Sequence, residues 1–324
     1  MWLVLLSLSV VASLCRAASP RVTLVESYHA DFEWDVQYRQ GLMDRLGGRV
    51  RLESLQLDAK HLPAEAVNLR AGQILQTVVL RPPQLLIVGD DAALKLVGAP
   101  AAESGVPVVY LGINGNPRAY FHAQPRNVTG VLERPLIQRS VAELSSSVPG
   151  LRRALVMLDC DFTSDILRSD SLQGKESLQV GSVAVDVFQA CRFADWQRML
   201  AQAPDTYQAV WIGLYQALKD EQGRPIPDKE ILAWTSAHAR LPLFALWRYA
   251  VGKDKAAGGM VISGRDQGIA AGELAEKILF EGRKPGDLYP VTPNTGQFVF
   301  SKSSLTRFGI SLPERVRRKA EWIE

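Results

Sequence analysis

The sequence is poor in cysteine and histidine, carries little net charge and lacks the common catalytic and nucleotide-binding motifs. Three cysteines and four histidines in 324 residues leave no Cys–His spacing of the kind that builds a zinc site. The formal net charge of +3 is too small and too evenly spread for a nucleic-acid-binding surface. There is no Walker loop, no Gly-x-Ser-x-Gly elbow, no His-Glu-x-x-His motif and no dinucleotide glycine fingerprint. We therefore expect no catalytic residues, no metal, no cofactor and no nucleic-acid partner.

The N-terminal segment, residues 1–18, is typical of an export signal. An apolar run from Trp2 to Leu14 is too short to span a bilayer comfortably, and small residues follow it. This pattern predicts cleavage after Ala17 or Ala18 and a periplasmic protein. Because no Lys or Arg precedes the apolar run, an uncleaved N-terminal anchor is the alternative.

Short apolar runs alternate with longer amphipathic stretches through the rest of the chain. The runs predict strands at 22–25, 50–57, 85–88, 106–111, 154–158, 183–188, 209–214, 243–246 and 259–262. The stretches predict helices at 31–46, 64–80, 92–103, 136–147, 163–172, 194–203, 228–239 and 269–280. Near-continuous apolar strands separated by helices indicate an α/β fold with parallel sheets covered on both faces.

The alternation is interrupted between residues 112 and 135, where Gly, Pro and Asn are frequent and no period is visible. We interpret this interruption as a crossover between two doubly wound lobes that hinge around a cleft. The predicted boundaries are 19–115 plus 251–290 for lobe 1, 127–246 for lobe 2, and 116–126, 247–250 and 291–324 for hinge crossings and the C-terminal tail.

Ligands of such sheets bind beyond the carboxyl ends of the strands, so the residues at those positions are the site candidates. They combine aromatic rings with carboxylates and one arginine, a mixture that suits a small polar or aromatic solute. The candidate ligand-binding residues are Tyr28, His29, Trp34, Asp90, Asp91, Asn114, Asp161, Phe162, Thr163, Tyr215, Trp247 and Arg248. Among them, the expected walls are Tyr28, Trp34 and Trp247, and the expected polar anchors are Asp90, Asp161 and Arg248.

Several of these residues also have an ordinary structural interpretation. Asp91 and Thr163 are suited to capping the helices that follow them. Trp34 can pack against its own sheet, and His29 can be a structural histidine. Asp90 beside Asp91 could be an acid–base pair, but no third catalytic group stands at a recognisable spacing.

Cys160 and Cys191 remain after removal of the leader, which carries Cys15. Each closes a predicted strand. If those strands are parallel neighbours, both sulfurs lie at one edge of the sheet, about 5 Å apart at the backbone, which a disulfide can span. Two buried free thiols are the alternative.

Several segments in order along the chain resemble one protein family. They are Glu26–His29 with Phe32–Trp34, Val106–Val109 with Asn127–Val131, Gly258–Met260 through Gln267–Gly268 followed by Ala275–Gly282, and Phe308–Ile310 with Leu312–Pro313. These segments resemble the ABC-transporter substrate-binding proteins of the periplasmic type I fold, in the branch that includes aromatic-amino-acid binders and sensor-like members.

The resemblance implies an exported receptor that captures a small polar or aromatic solute, such as an amino acid, between its lobes. We expect it to be free-standing and monomeric, since the sequence has no second apolar span and no output domain. The resemblance also implies a membrane partner, an ABC permease. Two other functions remain open from the sequence: a periplasmic sensor subunit that signals to a membrane kinase or cyclase, and a periplasmic hydrolase that uses the aspartate pairs.

Overall fold

A computed structural model describes residues 18–123, 125–293 and 296–324. The predicted export signal therefore lies outside the described residues except for Ala18, and the choice between a cleaved leader and an anchor stays a prediction. Across the described ranges, every helix is either too short or too polar to traverse a bilayer.

The N-terminal half forms a fully parallel five-stranded sheet. Its strands are β1 (Arg21–Glu26), β2 (Arg51–Gln56), β3 (Leu85–Gly89), β4 (Val108–Ile113) and β5 (Val128–Leu132), in the spatial order β2-β1-β3-β4-β5. All residues of β3 and β4 are buried, as expected for central strands covered by helices on both faces. The strand order reverses between β1 and β3, so a crevice opens beyond their carboxyl ends.

The C-terminal half forms an eight-stranded mixed sheet. Its strands are β6 (Arg153–Asp159), β7 (Ser177–Val180), β8 (Val183–Ala190), β9 (Ala209–Ile212), β10 (Leu243–Ala245), β11 (Gly258–Val261), β12 (Gln297–Ser301) and β13 (Ala320–Ile323). The parallel core β8-β6-β9-β10-β11 repeats the order of the first sheet, with its reversal between β6 and β9. Antiparallel β7 and β12 extend the two sides, and β13 runs parallel to β12.

Helices cover the sheets. They are α1 (Glu33–Leu46), α2 (Ala64–Leu80), α3 (Asp90–Ala93), α4 (Ala99–Glu103), α5 (Ile137–Leu144), α6 (Phe162–Ile166), α7 (Phe193–Gln202), α8 (Asp228–His238), α9 (Gly264–Leu279), α10 (Lys302–Arg307) and α11 (Glu314–Arg317). A π-helical turn at Leu94–Gly98 joins α3 to α4, and another at Leu167–Ser171 continues α6. Hereafter, lobe 1 is the five-stranded sheet with α1–α4 and α9, and lobe 2 is the eight-stranded sheet with the other helices.

Helix α9 packs closely along α1 because glycines stand where the two backbones meet. A Cβ on Gly268 would lie 2.0 Å from the carbonyl oxygen of Tyr38, and one on Gly41 would lie 2.1 Å from that of Arg265. Any larger residue at either position would push the helices apart. The close contact holds the first turn of α1, and with it Trp34, against the body of lobe 1.

The predicted α/β fold with two doubly wound lobes is confirmed, but some elements belong to a different lobe from the one predicted. Strand β5 falls inside the range assigned to lobe 2, yet it pairs with β4 in the first sheet. Strand β11 was assigned to lobe 1, yet it pairs with β10 in the second, and the C-terminal tail supplies β12 and β13 beside it. Both errors have one cause: a short apolar run does not specify which of two parallel sheets it extends. The chain consequently crosses between lobes after β5, after β11 and before β12.

Candidate functional site

A narrow cavity lies between the lobes, where the carboxyl ends of the two sheets face each other. Its volume is about 20 Å³, enough for a water molecule and far below the roughly 300 Å³ at which ligand pockets usually begin. We call it the cleft cavity. It is lined by Tyr28, Phe32, Trp34, Lys60, Asp90, Asn114, Glu133, Thr163, Leu214, Trp247 and Tyr249.

The crevice between β1 and β3 supplies the floor of the cavity in lobe 1. Tyr28 follows β1, and Asp90 follows β3 with a backbone φ of 68°, in the left-handed region that aspartate tolerates better than most residues. Trp34 donates its indole N–H to Oδ1 of Asp90 at 3.2 Å. The other carboxylate oxygen, Oδ2, is buried and has no hydrogen-bond partner among the described residues.

Burial raises the pKa of Asp90 well above its usual range, and the neighbouring negative charges of Asp35, Glu133 and Asp91 add to this effect. The hydrogen bond from Trp34 opposes it only in part. A buried carboxyl in this state requires either a proton or a positively charged partner.

Asp91 does not line the cavity but binds the loop after β4, which does. Its carboxylate accepts hydrogen bonds from the backbone N–H groups of Asn114 at 2.9 Å and Gly115 at 3.1 Å, and from the hydroxyl of Tyr120 at 2.9 Å. These bonds fix the loop after β4 and turn Asn114 toward the cavity. The Oδ1 atom of Asn114 is a second buried acceptor without a hydrogen-bond partner among the described residues.

Glu133 lies at the first crossing between the lobes, immediately after β5. Trp247, at the end of β10 in lobe 2, donates its indole N–H to Oε1 of Glu133 at 2.8 Å. Burial raises the pKa of Glu133 to about 8, although this hydrogen bond acts in the opposite sense. The contact joins the crossing directly to the aromatic wall of lobe 2.

Lys60 reaches across the cleft from the loop after β2 and forms an ion pair with Asp161 of lobe 2. Only 2% of the Lys60 side chain and 13% of the Asp161 side chain are exposed. Burial acts against both charges, but each charge stabilises the other, so the pKa of Asp161 falls and that of Lys60 rises. The ammonium also lies 4.7 Å from the ring centroid of Tyr28 and 5.8 Å from that of Phe32, close enough for cation–π attraction.

Further contacts between the lobes show that the cleft is closed. The hydroxyl groups of Tyr28 and Thr163 are 3.0 Å apart and hydrogen-bonded. The ring centroids of Phe32 and Tyr249 are 6.3 Å apart.

A disulfide between Cys160 and Cys191 anchors the loop of lobe 2 that faces this closed cleft. The two Cα atoms are 4.8 Å apart at the carboxyl ends of the neighbouring parallel strands β6 and β8. Asp161 follows Cys160 directly and caps α6 by accepting a hydrogen bond from the backbone N–H of Ser164 at 2.7 Å. The disulfide therefore fixes the end of the sheet from which Asp161 and Thr163 project.

The structure brings half of the sequence-derived candidates into the cleft cavity. Tyr28, Trp34, Asp90, Asn114, Thr163 and Trp247 line it, whereas His29, Asp91, Asp161, Phe162, Tyr215 and Arg248 do not. The capping interpretations of Asp91 and Thr163 need correction as well. Asp91 lies within α3 and binds the loop after β4, and the cap of α6 is Asp161 rather than Thr163.

Arg248 is the largest departure from the predicted anchors. Its guanidinium forms two hydrogen bonds with the carboxylate of Glu321 on β13, one of them at 2.7 Å, and does not line the cavity. Phe162 instead borders a separate apolar pocket at the rim, under the ammonium of Lys95 at 4.9 Å. Tyr215 is buried beside Tyr249, with ring centroids 6.4 Å apart.

Five residues of the cavity were absent from the sequence-derived set: Phe32, Lys60, Glu133, Leu214 and Tyr249. Lys60 follows β2, so the strand-end rule could have identified it had that strand been considered with the others. Glu133 carries no comparable local signal, because its position depends on the contact with Trp247.

Similarity to known structures agrees with this architecture. The ABC domain from Streptococcus pneumonia in complex with L-Trp superposes with a TM-score of 0.69 at 17% identity, covering 95% of this chain and 100% of that one. A conserved domain protein from Vibrio cholerae gives 0.65 at 18% identity, with the same two coverages. A ligand-free, open substrate binding protein with adhesive properties from Clostridium difficile gives 0.60 at 13% identity, covering 94% and 99%. At these identities, the likeness establishes the fold.

Family membership comes from the sequence. A comparison with curated proteins found no match. The profile of the ABC transporter substrate binding protein family, however, matches residues 37–323, which is most of the 324-residue chain and includes every described strand except β1. The chain therefore belongs to the family of ABC transporter substrate binding proteins.

Proposed function

We propose that the protein captures a small solute with an ammonium group and an aromatic or apolar body, and presents it to an ABC permease. The observation that carries this proposal is a pair of buried acceptors, Asp90 Oδ2 and Asn114 Oδ1, that lie among the rings of the cleft cavity and have no hydrogen-bond partner in the part of the chain that the structure describes. An ammonium would supply the donors and the positive charge that Asp90 lacks.

The aromatic rings favour the same class of solute. Tyr28, Phe32, Trp34, Trp247 and Tyr249 surround the cavity, and rings bind both a flat apolar body and a cation. For an amino acid, Lys60 is the cation that lines the cavity and would bind the carboxylate, beside its ion pair with Asp161 and in place of the predicted anchor Arg248. Binding an amino acid without altering it needs no catalytic group, which agrees with the absence of catalytic motifs.

The lobes would have to separate for a solute to enter, because the closed cavity is small. The three crossings between the lobes supply the hinge for this motion. Closure around the solute would then create the form that a permease recognises, and the solute shifts the equilibrium only by as much as it prefers the closed form.

Thermal shift with three related compounds tests the proposal. We expect tryptophan to stabilise the protein most, tryptamine (which lacks the carboxylate) less, and indole-3-propionate (which lacks the ammonium) least. Asp90→Asn should weaken tryptophan and tryptamine roughly 10- to 100-fold, the effect of losing a hydrogen bond to a charged group. Because Asn also accepts positive φ, the backbone at this position can be retained.

Asp254→Asn is the matched control, since Asp254 is exposed and also has a positive φ, of 57°. It should leave all three affinities unchanged. Equal binding of indole-3-propionate and tryptophan, or binding of sugars alone, would contradict the assignment of an ammonium-bearing solute. Conversion of a bound compound into product, followed by mass spectrometry, would contradict the binding-only function.

A further inference from the structure

A cluster of two histidines and a carboxylate lies on lobe 1, outside the cleft cavity. His29 follows β1, and Asp58 and His61 lie in the loop between β2 and α2. One possible ligand atom from each residue lies within 4.8 Å of those of the other two. The imidazole rings stack with centroids 4.4 Å apart, and Nδ1 of His61 is 2.9 Å from Oδ1 of Asp58. Solvent reaches the cluster, since 23% of the His29 side chain and 39% of the His61 side chain are exposed.

The internal contacts of the cluster leave one ring nitrogen available to bind a metal ion. The Nδ1 atom of His29 is buried and has no hydrogen-bond partner within the described part of the chain. The neighbouring His61 ring acts electrostatically on the His29 ring, and the carboxylates of Asp31, Asp58 and Asp228 act in the opposite sense. Oδ1 of Asp31 is 3.6 Å from the other ring nitrogen of His29.

Asp58 occupies an unusual backbone conformation. Its φ of 58° is in the left-handed region, which aspartate adopts more readily than most residues other than glycine. This conformation turns the loop so that the Asp58 carboxylate faces His61.

We propose that His29, Asp58 and His61 bind one divalent ion of the zinc, cobalt and nickel class. Imidazole nitrogen and carboxylate oxygen are the ligands that such ions prefer, and three protein ligands leave a position for water or for Asp31. In a tetrahedral site with bonds of about 2.0–2.1 Å, ligand atoms are about 3.3 Å apart. The three side chains therefore have to draw together by about 1.5 Å, a movement that partly exposed side chains can make by small rotations.

The position of the cluster gives such an ion a structural role beside the cleft. Tyr28 immediately precedes His29, and Lys60 immediately precedes His61. An ion held by the cluster would tie together the two loops that carry these cavity residues. The proposal does not depend on the identity of the solute, because none of the three ligands lines the cleft cavity.

Zinc binding to the full, untagged chain tests the proposal by titration calorimetry and by metal analysis after dialysis. We expect one zinc ion per chain in the wild type. Asp58→Asn should weaken zinc binding by more than about 100-fold, which exceeds the effect of losing an outer hydrogen bond to a ligand. Since Asn tolerates positive φ, this variant retains the fold, and the double variant His29→Gln/His61→Gln provides a second removal of ligands.

The control uses the other two histidines of the chain, His122 and His238. The double variant His122→Gln/His238→Gln should bind zinc as the wild type does. Cobalt bound to the wild type should give a visible absorption band that is absent from both site variants. A wild type that retains no zinc, or a control pair that loses zinc as the site variants do, would overturn the assignment.

Discussion

Replacing Lys60 by methionine should shift the protein from the closed conformation toward an open one. Lys60 and Asp161 come from opposite lobes and form an ion pair that is almost fully buried when the cleft is closed. Opening exposes both groups to water, so removing one partner penalises the closed form, in which the remaining charge is buried, more than the open form. Methionine keeps most of the length and apolar stem of lysine and removes the charge.

The size of the shift follows from the burial of Asp161. Removing one partner of a buried ion pair costs about 3–5 kcal/mol because the other charge is left uncompensated. Asp161 retains its hydrogen bond from the Ser164 N–H and 13% of its side-chain exposure, so the lower end of this range applies. About 3 kcal/mol corresponds to a change of roughly 100-fold in the ratio of closed to open protein. Global unfolding should change much less, because the open form relieves the penalty without unfolding.

Small-angle scattering of the solute-free protein measures the effect. We expect a larger radius of gyration for Lys60→Met than for the wild type. The double variant Lys60→Met/Asp161→Asn should fall between them, because it leaves no buried charge without a partner.

The control for this experiment is another ion pair between the lobes. Lys255 and Glu33 are 3.6 Å apart, but their side chains are 34% and 45% exposed. Exposed pairs contribute about 0–1 kcal/mol, so Lys255→Met should open the cleft far less. The reasoning is refuted if Lys60→Met scatters like the wild type, or if Lys255→Met opens the protein to the same extent.

Three further predictions concern stability. Cys160 and Cys191 should escape alkylation in the unfolded, unreduced chain, and labelling of both thiols would contradict the disulfide. Reduction should lower the free energy of unfolding by about 4 kcal/mol, the value expected for a separation of 31 residues. The pKa of Glu133 is about 8 in the folded protein, against an ordinary value of 4.5, so between these pH values the folded state holds a proton that the unfolded state has lost. The contribution of Glu133 to the free energy of unfolding therefore falls as pH rises from about 4.5 to 8, by up to about 5 kcal/mol. Glu133→Gln should therefore raise the melting temperature relative to wild type at pH 9 and much less at pH 5, and equal shifts at both pH values would disprove the assignment. Gly41→Ala should lower the free energy of unfolding in urea by about 1–3 kcal/mol, because its Cβ would clash at the α1–α9 contact. Gly72→Ala is the control: its Cβ would meet no atom within 4 Å, so it should stabilise α2 by up to about 1 kcal/mol. The opposite order would contradict the packing argument.

The sequence predicted the parts of this protein that depend on local pattern. The apolar runs at β3 and β4 predict a buried parallel sheet, because each run and its flanking helices can be recognised from the pattern of neighbouring residues alone. The strand-end rule then finds Tyr28, Asp90 and Trp247, since each follows its strand directly.

Residues that depend on distant partners could not be predicted in this way. Lys60 is buried because Asp161, 101 residues later, compensates its charge. Glu133 depends on Trp247, which lies 114 residues later. Arg248 is drawn away from the cleft by Glu321, 73 residues later. The periodicity of apolar residues within one segment carries no information about such distant pairings. Charged residues were therefore the least predictable part of the site.

The contact between α1 and α9 sets the order in which the chain can complete its folding. Leu46 ends α1 and Gly264 begins α9, so 217 residues separate two helices that pack backbone to backbone. At about 5–20 residues per second, a ribosome needs roughly 10–45 s to make that stretch. During this interval, the surface of α1 that packs against α9 has no partner. Lobe 1, although it is begun first, therefore finishes its core only after most of lobe 2 has been synthesised.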